Sequence, residues 1–181
     1  MLTAEYPQLA ERLYLLIRDL EKDQRLIDFA EPLDKTTTLL FDGGTPDSSA
    51  VYEEACNIVA DAKKVHYVSQ MCPSGRLAKL ITATENHCYF IRSSQAEPPL
   101  NMALPVDKLL SGITNSYKGK NYIHAKFILC EGKDGGRRLI SGSNNYSWRG
   151  IAFGTKEIAI SSSDPALWQT FYTYMQKEVL A

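Results

Sequence analysis

His124 and Lys126 stand two apart in the apolar run Ile123–Cys130, and Gly142-Ser143-Asn144-Asn145 and Glu157 follow downstream. In a strand, residues two apart face one side. His124 and Lys126 therefore point together, while Ile123, Ala125, Phe127 and Leu129 point into a core. An imidazole and an ammonium are costly to bury there unless they have a partner or a task. For this pair taken alone, a satisfied structural role is as good a reading as a chemical one. The Gly-Ser-x-Asn segment favours chemistry: glycine admits close backbone approach, and hydroxyl, amide and backbone N–H groups at a helix start suit phosphate oxygens. The set offers a nucleophile, a cation and neutral donors, with Glu157 close enough to orient an imidazole. That combination suits attack on phosphorus, with charge stabilised on the non-bridging oxygens.

The elements that must position these residues follow from periodicity. Leu9, Leu13, Leu16, Ile17 and Leu20 have helical spacing, predicting a helix from about Ala4 to Phe29 that ends at Glu31-Pro32. Strands are expected at Thr36–Phe41, Val65–Gln70 and Cys88–Ile91, alternating with helices from Ser48 or Ser49 to about Ala62 and over Gly75–Thr84. Ser93–Pro105 reads as a loop and Val106–Ile113 as a short helix. Ile123–Cys130 is the strongest strand, turning at Lys133-Asp134-Gly135-Gly136 into a hairpin partner at Arg137–Ser141. A strand at Glu157–Ser161 and a helix capped by Asp164 complete the order. This succession predicts an α/β fold, a mixed β-sheet flanked by helices. Residues 1–35 read as an N-terminal helix serving as linker or dimer arm, and 36–181 as one catalytic domain.

His124-x-Lys126, Gly142-Ser143-x-Asn145 and Glu157 together resemble the histidine–lysine–aspartate signature of the phospholipase D superfamily. The resemblance is strong over residues 122–160 and weaker over the preceding strand–helix units. The family places an aspartate five residues after the lysine, where this chain has Glu131 ahead of a longer hairpin. Glu131 or Asp134 is expected to take that turn role. Thr155 stands where an asparagine often precedes the glutamate.

The resemblance implies a phospholipase D-like half domain with one signature copy. It implies a metal-independent phosphodiesterase or phosphatidyl transferase, similar to cardiolipin synthases, in which His124 forms a phosphohistidine. Gly142, Ser143, Lys126 and Asn145 would hold the phosphate, and Glu157 would fix the tautomer of the histidine. No metal and no cofactor is expected. A second histidine must protonate the leaving alcohol, so a homodimer mate or a missing half of a larger enzyme is implied as partner. A phospholipid-type phosphodiester is the expected substrate; nucleic acid, with the chain acting as an endonuclease, is the alternative. A non-catalytic phosphate-binding half is the third reading.

Charge is unevenly spread along the 181 residues. Eight Lys and Arg against Glu131 and Asp134 give residues 118–156 a charge of +6 within a chain of net charge −1. That pattern suits a local anion site, and without an aromatic-plus-basic stripe it is a mediocre fit to nucleic acid. Cys56, Cys72, Cys88 and Cys130 form no C-x-x-C pair and His66 and His87 lie far from His124, so reduced, buried thiols are expected rather than a zinc site. With no apolar run of membrane-spanning length and no basic-then-apolar leader, the expectation is a cytoplasmic protein, peripheral to a membrane if it acts on lipid.

Overall fold

Ile128 and Cys130 pack beneath one layer of helices, and Phe127 and Leu129 beneath the other. A strand buried on both faces needs the near-continuous apolar sequence found here. The computed structural model describes residues 27–180 except 92, 97, 99, 114–116, 118, 120 and 121, together with 10, 11, 13–15 and 18. The strands are β1 (Phe29–Pro32), β2 (Thr37–Gly43), β3 (Ala62–Val68), β4 (Glu85–Tyr89), β5 (Phe127–Gly132), β6 (Arg137–Gly142) and β7 (Lys156–Ser162). They form one seven-stranded mixed sheet in the order β1-β2-β7-β6-β5-β3-β4. Only β3 and β4 are parallel among these pairings.

Helices α1 (Ala50–Ala60) and α2 (Gly75–Thr82) cover one face of the sheet. Helix α3 (Leu100–Ser111) precedes β5, and the short α4 (Trp148–Phe153) lies between β6 and β7. Helix α5 (Pro165–Tyr174), continued by a π-helical turn at Met175–Val179, covers the second face with Trp168, Met175 and Val179. Local chemistry sets the helix ends. The Ser49 hydroxyl accepts from Tyr52 N at 2.9 Å, and Asp164 accepts from Ala166 N at 2.8 Å with Pro165 in the first turn. Gly154, at φ 66°, ends α4 in the left-handed region. Among the described residues, no helix is long and apolar enough to cross a membrane. All four cysteines are free and buried, and burial pushes the Cys56 and Cys72 thiols up to about 11.

The α/β sheet flanked by helices is as expected, with three local differences. Ala10, Glu11, Leu13–Leu15 and Arg18 are helical, while Leu9, Leu16, Ile17 and Leu20 lie outside the described residues. Phe29–Pro32, expected as the end of that helix, is instead an edge strand. Phe29 stacks on Phe41 with ring centroids 5.1 Å apart, and Pro32 takes the last ladder position, where a missing N–H costs little. Helix α3 begins at Leu100 within the expected loop, holding Pro105 in its interior. Finally, the β5 ladder starts at Phe127, so His124 and Lys126 stand just ahead of the paired strand. Lys126 is buried and His124 exposed.

Candidate active site

Strand registers gather most of the residues singled out in the sequence at one end of the sheet. Val68 of β3 pairs with Phe127, Phe127 with Ser141, Gly142 with Ala159, and Asp42 with Glu157. The starts of β5 and β7 and the ends of β2, β3 and β6 therefore share an edge, which carries His124, Lys126, Ser143, Asn145 and Glu157.

Lys126 is only 9% exposed, and its Nζ donates to the His124 carbonyl at 2.9 Å. Burial lowers its pKa and nearby Glu157 partly restores it, leaving an ammonium in a poorly screened setting. The exposed His124 ring lies 6.4 Å from that of Tyr122 at 21°, and Gln70 Nε2 donates to the Tyr122 hydroxyl.

Gly142 is required by strand packing. A Cβ there would stand 2.2 Å from the Ile158 carbonyl oxygen and 2.5 Å from Ala159 Cβ. Ser143 N donates to Ile158 O at 2.9 Å, continuing the contact between β6 and β7, and the Ser143 hydroxyl donates to Glu157 Oε2. Glu157 thus takes a bond from Ser143, where an imidazole had been expected. Asp42, opposite Glu157, is buried and accepts from Ser49 Oγ at 2.6 Å and Val51 N at 3.0 Å, tying α1 to this end.

Asn145 has its carbonyl 3.0 Å from the Tyr67 hydroxyl and its Oδ1 3.3 Å from Ser69 Oγ. The loop is pinned on either side: the Asn144 side chain accepts from Tyr146 N, and Tyr146, at φ 52°, buries its ring edge-on against Tyr67. Asp134 lies in the hairpin turn, accepting from Gly136 N at 2.9 Å. Glu131 pairs with Arg137 at the far end of β5, on the order of 20 Å along the chain from His124. A cavity of about 420 Å³ opens beside the site, lined by His124, Lys126, Gly142, Phe127, Phe171 and Tyr174. Among the described residues, no group of three or more His, Cys, Asp or Glu side chains could hold a metal ion.

The other histidines sit elsewhere. His66 pairs with Leu129 in the body of the sheet, stacked on His87 at 5.2 Å and edge-on to Tyr172 at 5.5 Å. Among the described residues its ring nitrogens have no hydrogen-bond partner, with Glu131 Oε1 4.0 Å from Nε2, and burial, aided by His87 and Lys64, pushes its pKa from 6.5 down to about 4. Between those two values the folded chain binds fewer protons than the unfolded one. The stability tied to neutral His66 is therefore whole above pH 6.5 and is lost as pH falls towards 4, about 3 kcal/mol in all. Urea unfolding near pH 7 and near pH 4 should show a larger drop for wild type than for His66→Phe. Equal drops would refute the assignment.

The fold matches that of a phospholipase D family member, Nuc, from Salmonella typhimurium (TM-score 0.56, 17% identity, covering 78% of this chain and 91% of that one). It also matches NucT from Helicobacter pylori (TM-score 0.51, 14% identity, 70% and 86% covered). The chain has the phospholipase D fold. A third match is phosphatidylserine synthase from Haemophilus influenzae Rd KW20, at TM-score 0.55 and 8% identity. Here 92% of this chain is covered, and it spans 41% of the synthase. No protein-family model and no curated protein matches the sequence. Within the phospholipase D fold, Tyr67, Ser69, Tyr146 and Asp42 support the site without having been marked by sequence. Tyr67, Ser69 and Asp42 reach it only through chain segments brought together by folding, and Tyr146, next to Asn145 in the chain, does so through the packing of its ring on Tyr67.

Proposed function

We propose that this chain is a metal-independent phosphodiesterase or phosphatidyl transferase with His124 as its nucleophile. The observation that carries this reading is the convergence of His124, Lys126 and Asn145 at one sheet end of a phospholipase D fold. An imidazole nitrogen of His124 attacks phosphorus, the bond to the leaving oxygen breaks, and a phosphohistidine forms. Lys126 and Asn145 stabilise charge on the non-bridging oxygens. A second imidazole protonates the leaving alcohol, then takes the proton of the water or alcohol that cleaves the P–N bond. Since His66 and His87 lie in the body of the sheet, this imidazole comes from a second copy, in a homodimer mate or another half. The apolar side of the 420 Å³ cavity, formed by Phe127, Phe171 and Tyr174, favours a substrate with an apolar substituent, as in a phospholipid.

The test is to quench turnover of bis(p-nitrophenyl) phosphate with alkali and map the phosphorylated peptide. A phosphohistidine at His124, formed equally with and without EDTA, is expected. Phosphate on another residue, or activity lost to EDTA and restored by a divalent ion, would overturn the reading.

A further inference from the structure

Asn145 meets the protein through two different atoms. Its carbonyl faces the Tyr67 hydroxyl, which bridges it to the Met71 carbonyl at 3.0 and 2.9 Å. Its Oδ1 faces Ser69 Oγ at 3.3 Å, and Ser69 Oγ is also 3.3 Å from the Asn145 carbonyl. Ser69 is fully buried and its own backbone is held, with N donating to Tyr89 O at 3.1 Å. One residue before it, Val68 pairs with Phe127, so Ser69 stands across from Lys126.

An amide presents opposite polarities at its two ends. With Oδ1 turned to the serine hydroxyl, Nδ2 is the free end, and among the described residues it has no hydrogen-bond partner. Two protons on Nδ2 attract an anionic oxygen; a reversed amide would present its own oxygen and repel it.

We propose that Ser69 is a positioning residue of the phosphate site, its hydroxyl holding the Asn145 amide so that Nδ2 faces the phosphate. The inference rests on the phosphodiesterase reading above for its kinetic readout. Both hydroxyls reach the Asn145 carbonyl, but of the two only Ser69 also reaches the side-chain amide, so Ser69 is the one that sets the amide's direction.

The experiment is a double-mutant cycle of Ser69→Ala and Asn145→Ala, reading kcat and KM on bis(p-nitrophenyl) phosphate and inhibition by inorganic phosphate. Ser69→Ala should lower kcat about tenfold and weaken phosphate inhibition, with KM changed less than about twofold. In the Asn145→Ala background the same substitution should change nothing further. Equal losses in both backgrounds, as from a general packing defect, would overturn the proposal while leaving the phosphodiesterase reading intact. An inactive wild-type protein would instead defeat the phosphodiesterase reading. A readout free of turnover, usable also if Ser69→Ala does not fold, is the Nδ2–H resonance pair of Asn145, identified by its absence in Asn145→Ala. It should shift when inorganic phosphate is titrated into the wild-type protein. Resonances that stay in place at saturating phosphate would overturn the proposal.

Discussion

With His124 as the proposed nucleophile, replacing it by alanine should lower phosphodiester hydrolysis on the order of 10⁴-fold or more. The His124 side chain is exposed, so stability should move by no more than about 0.5 kcal/mol. A folded His124→Ala protein that keeps its rate would end the assignment. The same variant reports on assembly. If two copies share one site, random mixing of equal amounts leaves about a quarter of dimers with both imidazoles, so activity should fall to about a quarter. A fall to one half would mean that each chain works alone.

Gly142→Ala should be strongly destabilising, because its Cβ would meet backbone. The 2.2 Å approach to the Ile158 carbonyl cannot be relieved by a side-chain rotation, so β6 and β7 must separate where Ser143 and Glu157 meet. A loss of about 3 kcal/mol is expected, at the upper end of overpacking costs, with kcat reduced alongside. Gly135→Ala is the control. Its Cβ would meet nothing within 4 Å, leaving only the strain of φ 81°, about 1 kcal/mol. Urea midpoints for the two variants should differ clearly; similar midpoints would mean that β6 and β7 are not in this close contact.

Much of the architecture was legible because it depends on local pattern. Alternation of strand and helix periodicities was enough for an α/β sheet flanked by helices, and Asp164 and a cap at Ser48 or Ser49 were readable because a cap bond reaches only two or three residues; the structure uses Ser49. That His124, Lys126, Ser143, Asn145 and Glu157 lie near one another was foreseeable from their spacing around a hairpin, which returns the chain beside itself. Local pattern failed where neighbours in space decide. Phe29–Pro32 has little strand signal of its own and becomes one through β2 and the Phe41 ring. Leu100–Asn101 continues into α3 despite a proline at 105 that reads as a breaker.

The site divides in the same way. Sequence determined which residue types are available for the proposed chemistry, because those identities are intrinsic to the side chains. Tertiary structure decided their relations. It turned Glu157 towards Ser143, assigned Gly142 to the contact between β6 and β7, and set His66 apart beneath Tyr172. It also brought Ser69 and Tyr67 to Asn145 across more than seventy residues of chain. Hydrogen bonds and close packing are fixed by distances in space, and the separation of residues along a chain carries no record of them until strand register is set.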